Sequence, residues 1–192
     1  MPLTLSRPNW PLGMMYQPPL VAGRFYAAPQ CYMQIATTVP GTSWNRIIPW
    51  LQPHSATWAT IGIEVTAAGG AGGVCRIAYY QTRNPFGVAE LVRDFGTVAV
   101  DGIAFQSLTV NENVPAGLWL IGLFHNASSS PTLRSMIEPI CQYGFTVPTD
   151  ASPGNHLSWD IAMQTQYATL GAPSVIRLES SATTTPRVLI GV

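Results

Sequence analysis

The chain has 192 residues, enough for one domain with a hydrophobic core and a short appendage. Hydrophobic residues make up 47% of it and charged residues only 9%, which argues against intrinsic disorder because disorder requires low hydrophobicity and high charge. Nine basic residues, all arginine, balance nine acidic residues; this zero net charge disfavours nucleic-acid binding, and so few charges predict a subunit of an assembly.

The first 23 residues are rich in proline, and proline at this density prevents helix formation and favours an extended chain. Unlike a polar linker, this segment carries large apolar side chains. We therefore predict an extended arm over residues 1–23 and a folded domain over residues 24–192. The arm is expected to anchor the chain to a neighbouring subunit through Trp10, Met14, Met15 and Tyr16. The alternative is a tail that packs on its own domain.

From residue 24 onward, the apolar residues follow the pattern of β-strands. Residues 24–35 predict a first strand, which Pro29 interrupts. Residues 59–67 predict a strand with one buried face, because apolar side chains alternate with polar or small ones at Ile61, Ile63 and Val65. Residues 74–81 predict another, with Cys75, Ile77 and Tyr79 on one face.

The glycine-rich residues 67–73 between these two strands predict a hairpin connection. Further strands are predicted over residues 91–100 and 103–110. The strand predicted over residues 118–124 is apolar on both faces, so it should lie in the middle of a sheet that is covered on both sides.

Residues 187–190 predict a closing strand, whereas most of residues 145–185 have no clear pattern. No segment has a sustained helical period. Short strands at even spacing, separated by glycine and proline, predict an all-β fold: a single, jelly-roll-like β-sandwich. The apolar run at residues 114–124 is too short to cross a bilayer, and the N-terminus has no signal-peptide pattern, so no membrane partner is expected.

The sequence contains no recognisable catalytic or metal-binding motif. Each histidine stands alone, no cysteine pair has zinc-site spacing, and the acidic residues are scattered. The three cysteines, Cys31, Cys75 and Cys141, fit reduced, buried thiols in a protein made in a bacterial cytoplasm. We predict a protein that is not an enzyme and has no cofactor and no metal. The least favoured alternative is a polysaccharide depolymerase that uses two of the carboxylates.

Three tryptophans, Trp44, Trp50 and Trp58, lie in a proline-punctuated stretch and give the one positive indication of a binding site. Exposed indole rings on a β-sandwich stack on sugar rings, which favours contact with a host-surface glycan. The same residues could instead fill the core or an oligomer interface, where tryptophan is enriched. The second interpretation is favoured over the first.

Several segments in order resemble a β-sandwich domain of tailed-bacteriophage structural proteins: residues 24–27 (RFYA), 61–66 (IGIEVT), 76–80 (RIAYY), 114–120 (VPAGLWL), 131–134 (PTLR) and 185–190 (TPRVLI). The resemblance covers roughly residues 23–192.

This resemblance implies a virion protein on the exterior of the particle, without catalytic residues or cofactor. It implies a symmetric homo-oligomer, expected to be a trimer, that contacts capsid or tail proteins. Its expected role is that of a capsid decoration, head spike, tail fibre or adaptor subunit. The alternative from another class is a carbohydrate-binding module that recognises host-surface polysaccharide during attachment.

Overall fold

The computed structural model describes residues 20–28, 34–38, 45–83, 88–126, 129–137, 158–161, 171–177, 180–182 and 184–192. These residues form fourteen strands and no helix. In chain order the strands are β1 (Phe25–Ala28), β2 (Gln34–Thr38), β3 (Asn45–Gln52), β4 (Ala56–Ala67), β5 (Val74–Arg83), β6 (Val88–Ala99), β7 (Phe105–Val114), β8 (Gly117–His125), β9 (Thr132–Ile137), β10 (Ser158–Ile161), β11 (Val175–Arg177), β12 (Ser180–Ala182), β13 (Thr184–Pro186) and β14 (Val188–Gly191).

The strands form two antiparallel sheets of seven strands each. Sheet A has the order β1-β14-β4-β9-β13, with β7 also paired to β4 and β2 also paired to β9. Sheet B has the order β11-β6-β5-β8-β3-β10-β12. The prediction of an all-β sandwich is confirmed. The predicted arm lies almost entirely outside the described residues, which begin at residue 20.

The core lies between the inner faces of the two sheets. Alternation along β4 directs Ile61, Ile63 and Val65 inward, as the sequence pattern predicts. From sheet B, Cys75, Ile77 and Tyr79 pack against them, together with side chains from β3 and β8. Burial of this apolar surface is the main term that stabilises the sandwich.

Strand β8 is central in sheet B, hydrogen-bonded to β5 on one side and to β3 on the other. Its two faces contribute to two separate clusters. Trp119, Ile121 and Leu123 belong to the core between the sheets, whereas Leu120 and Phe124 belong to a buried cluster on the outer face of sheet B. The prediction of a strand covered on both sides is confirmed.

The predicted hairpin at residues 67–73 is wrong. Strand β4 lies in sheet A and β5 in sheet B, so the glycine-rich connection carries the chain from one layer to the other. The connection is held by backbone bonds from Gly69 to Val100 and from Gly70 to Ser129, and Gly72 has a positive φ of 72°. Glycine meets this conformational requirement in a crossover as readily as in a hairpin, so composition alone does not distinguish them.

The first predicted strand is divided into β1 and β2, and the closing strand is β14, which pairs with both β1 and β4. The unpatterned residues 145–185 include the short strands β10 to β12 and most of β13. No helix among the described residues is long and apolar enough to cross a membrane.

Candidate functional site

Two of the three tryptophans considered for glycan contact, Trp50 and Trp58, are part of the core. Trp50 and Trp58 are 0% exposed, and their rings meet edge to face at 6.1 Å. Both indole N–H groups donate to Oε1 of Gln52, at 2.7 and 3.2 Å. The glycan interpretation is therefore wrong for these two residues, because neither presents a ring face to solvent. Trp44 lies outside the described residues.

The four residues predicted to anchor the arm, Trp10, Met14, Met15 and Tyr16, also lie outside the described residues. Their role stays a prediction.

Cys75 lies directly opposite His125 in the β5–β8 pairing, and both residues are buried. Burial raises the pKa of the Cys75 thiol to about 12, so the thiolate is strongly disfavoured at neutral pH. His125 is buried at the end of β8, whereas His54 is exposed in the loop after β3. Across the described ranges, no group of three His, Cys, Asp or Glu residues could hold a metal ion. His156, Cys31 and Cys141 lie outside these ranges.

Tyr79 joins the aromatic core to a polar edge of the sandwich. Its ring stacks on Phe95, and its hydroxyl donates to Glu112 at 3.1 Å, while Arg93 approaches the same carboxylate at 3.8 Å. Burial and, after it, the negative charge of Glu112 raise the pKa of Tyr79 to about 12. The hydroxyl is therefore a neutral hydrogen-bond donor that links β5 to β7.

A second ionic group, centred on Asp94 of β6, connects the residues just before β11 to sheet B. Asp94 accepts hydrogen bonds from Arg76 at 2.9 Å and from the backbone N–H groups of Gly96 and Ala172. Burial raises the pKa of Asp94, but these three donors outweigh it, so the pKa lies below its ordinary value. These three interactions hold the backbone near Gly96 and Ala172 in place.

The outer face of sheet A carries an exposed aromatic pair. Phe25 is on β1 and Phe105 on β7, two strands that have β14 and β4 between them and are therefore about 14 Å apart at normal strand spacing. Their side chains nevertheless extend toward each other, and the rings meet edge to face with centroids 5.5 Å apart. The two residues are 53% and 39% exposed.

Two glycines allow the rings to lie against the sheet. A Cβ atom at Gly62 on β4 would lie 2.9 Å from Cζ of Phe105, and one at Gly191 on β14 would lie 3.0 Å from Cε1 of Phe25. Glycine within a strand often marks such a close approach. Backbone thus supports the two rings from below, and their upper surfaces remain open to solvent.

An ionic cluster lies beside Phe105 on the same face. Glu64 is directly opposite Phe105 in the β4–β7 pairing, where Cβ atoms are about 5 Å apart. Oε1 of Glu64 accepts from Nη2 of Arg134 at 3.0 Å, and Oε2 accepts from Nη2 of Arg187 at 2.5 Å. The hydrogen bond from Arg134 is the main cause that lowers the pKa of Glu64. The cluster has two positive charges and one negative charge.

We call this surface the Phe25–Phe105 face and define it by Phe25, Gly62, Glu64, Phe105, Arg134, Arg187 and Gly191. It combines a fixed apolar platform with an adjacent set of charged hydrogen-bonding groups. The sequence pattern does not indicate this surface, because its residues are far apart in the chain. The available signal was Gly62, which occupies an outward position in an alternating strand where a polar side chain is usual.

Sheet B has a similar arrangement that is closed to solvent. Tyr80 and Phe124 lie over Gly122, where a Cβ atom would be 2.9 Å from Cε2 of Tyr80 and 2.7 Å from Cε2 of Phe124. Both aromatic residues are 0% exposed. The same packing of rings over glycine is therefore part of a buried cluster on sheet B and an open surface on sheet A.

No protein-family model and no curated protein matches this chain. Two solved structures with similar strand arrangements are both of the Clostridium difficile protein Cwp84. One contains the cysteine protease and lectin-like domains of this surface-layer-associated protein, with a TM-score of 0.47 and 10% identity, covering 88% of this chain and 36% of that one. The other is the same protease after propeptide cleavage, with a TM-score of 0.46 and 10% identity, covering 88% and 40%.

The chain thus spans well under half the length of these two structures.

Proposed function

We propose that this protein is a non-enzymatic structural subunit on the exterior of a tailed-phage particle. It assembles as a homo-oligomer, expected to be a trimer, and attaches to capsid or tail proteins through its N-terminal arm. Its role is that of a capsid decoration, spike, fibre or adaptor. The resemblance of residues 23–192 to phage β-sandwich domains supports the virion assignment.

The observation that carries the proposal is the number of large apolar side chains on the surface of a chain with few charges. Val21, Val88, Val92, Ile103 and Val175 are between 37% and 71% exposed. One of them, Val21, lies where the proposed arm joins the domain. Contact with neighbouring subunits would remove such surface from water, which is the usual driving force for assembly.

The charged residues support the same proposal. Glu64, Asp94 and Glu112 are each paired with arginines of their own chain. These intramolecular pairs reduce the charge that is available to repel a second copy. Low surface charge favours self-association and suits a subunit that packs around a symmetry axis.

Sedimentation of the full chain at micromolar concentration tests the assembly, with a trimer expected. Gold-labelled antibody on intact particles tests the location, with labelling on the outside expected. A variant with Trp10, Met14, Met15 and Tyr16 changed to alanine should lose attachment to particles. A matched variant with the polar arm residues Ser6, Asn9 and Gln17 changed to alanine should retain it. A monomer that is absent from purified particles would contradict the proposal.

A further inference from the structure

We propose that the Phe25–Phe105 face binds a carboxylate-bearing pyranose, the repeating sugar of an acidic polysaccharide. This inference does not depend on the virion assignment, since it concerns the chemistry of one surface of the sandwich. It rests on three features of that surface: an exposed aromatic platform, an adjacent cluster of two arginines and one glutamate, and the positive net charge of that cluster.

The aromatic platform has the form that a sugar ring requires. One face of a pyranose consists mainly of C–H groups, and it packs favourably on an aromatic ring. Phe25 and Phe105 are held edge to face by each other and supported by backbone at Gly191 and Gly62. A ligand that docks there therefore orders little additional side chain, which reduces the entropic cost of binding.

Folding alone does not account for this exposure. On sheet B, the rings of Tyr80 and Phe124 lie over Gly122 and are completely buried, so that pair contributes all of its apolar area to stability. On sheet A, the equivalent pair leaves 53% of Phe25 and 39% of Phe105 in water. The neighbouring outward positions Thr60, Ser107 and Thr109 have small polar side chains, which leave the two rings accessible from the solvent side.

The ionic cluster supplies the polar half of the site. Arg134 uses Nε and Nη2 to bind Glu64, and its side chain is 34% exposed. A guanidinium has five N–H donors in a planar fork that matches a carboxylate, so Arg134 can bind a ligand while it remains paired with Glu64. The Glu64 carboxylate, 29% exposed, can accept from a sugar hydroxyl.

Charge selects the class of sugar. Arg134 and Arg187 against Glu64 give the cluster a net charge of one positive unit, on a protein whose total net charge is zero. A uronic-acid ring places its carboxylate at the rim of the pyranose, next to the hydroxyls. Glu64, opposite Phe105, already has an arginine on each carboxylate oxygen, so we infer that the acid group of a sugar stacked on Phe105 pairs with the exposed guanidinium of Arg134.

Titration of the full chain with galacturonic-acid oligomers tests the proposal, with galactose oligomers of equal length as neutral probes. Binding of the acidic oligomers is expected, with weaker binding of the neutral ones. The variants Phe105→Ala and Arg134→Gln should each reduce the affinity for the acidic oligomers at least about tenfold. Val175→Ala removes an equally exposed apolar side chain from sheet B and should leave the affinity unchanged.

Phe105→Trp is the control for misfolding of the alanine variant. It keeps an aromatic ring at this position and should therefore retain binding. Equal affinity of acidic and neutral oligomers would overturn the charge assignment. Absence of binding to the wild type would overturn the proposal. A change in oligomeric state in Phe25→Ala and Phe105→Ala, without sugar binding by the wild type, would identify the face as a contact between copies and would also overturn it.

Discussion

Gly62 shows how strongly a single position on the outer face of sheet A is constrained. A Cβ atom there would contact the carbonyl oxygen of Gln106, which is backbone, and would lie 2.8 Å from Cβ of Ser107. Neither neighbour can move away without disturbing the β4–β7 pairing. The site therefore requires glycine because of close approach, and not because of an unusual φ.

Gly62→Ala should accordingly destabilise the protein by about 1–3 kcal/mol, the usual range for overpacking. Equilibrium unfolding in urea measures the change. Gly102→Ala is the matched control, because a Cβ atom there would meet nothing within 4 Å; its effect should stay within about 0.5 kcal/mol. Equal stability of Gly62→Ala and wild type would show that β7 does not lie against β4 as described.

Glu64 makes the stability of sheet A depend on pH. Hydrogen bonds from Arg134 and Arg187, together with their charges, hold the pKa of this carboxyl below its ordinary value. A group with a lowered folded-state pKa stabilises the fold above its unfolded pKa, about 4.3 for Glu, and this contribution is lost as the pH falls through the folded value.

Glu64→Gln should therefore lower the free energy of unfolding by about 1–2 kcal/mol at pH 7. Its difference from wild type should shrink as the pH falls below about 4. Urea unfolding of both proteins at a series of pH values measures this. A difference that stays constant down to pH 2 would indicate that the lost interaction does not involve the ionised carboxylate.

At the level of elements, strand β3 is connected to β4 through one buried amide. Oε1 of Gln52 accepts from Trp50 on its own strand and from Trp58 on β4, in the other sheet. Nε2 of Gln52 donates to the carbonyl of His54 at 2.6 Å. Gln52 thus satisfies two buried indole N–H groups and fixes the turn between the two strands.

Gln52→Leu should destabilise the protein by about 2–4 kcal/mol, because it leaves two buried donors without this acceptor. Gln81→Leu provides the control at an exposed position of β5 and should have little effect. Thermal and urea unfolding of both variants measure the difference. Equal losses in the two variants would mean that apolar substitution on a strand, and not the lost acceptor, causes the effect.

The strands could be predicted from the sequence more readily than their partners. Alternating burial is encoded locally, so β4, β5 and β8 were predicted close to their observed bounds. Pairing is not local: β4 is followed in the chain by β5 but is bonded to β7, β9 and β14. The hairpin prediction failed for this reason.

The difference between local patterns and non-local pairing also explains why the candidate site could not be predicted from the sequence. Trp50 and Trp58 are close in sequence and were easy to group, but sequence does not say that both face the core. Phe25 and Phe105 are far apart in sequence and come together because β14, from the end of the chain, lies between β1 and β4. No local pattern encodes that arrangement.

For the molecule as a whole, the core between the sheets should open only when the two layers separate. Cys75 is 1% exposed and packs among residues of both sheets. Burial raises the pKa of its thiol to about 12, so accessibility and ionisation both oppose reaction in the folded state. In the unfolded chain a cysteine has a pKa of about 8.5 and reacts readily at pH 8.

A variant with Cys31→Ser and Cys141→Ser leaves Cys75 as the single thiol for labelling. At pH 8 its reaction with a thiol reagent should be slow without denaturant and should accelerate along the unfolding curve measured by fluorescence. Adding Ser129→Cys, at an exposed loop position, supplies a thiol that should react at once under native conditions. Rapid native labelling of Cys75 would mean that the layers separate without global unfolding, and a rigid two-layer body could then not be the unit that assembles.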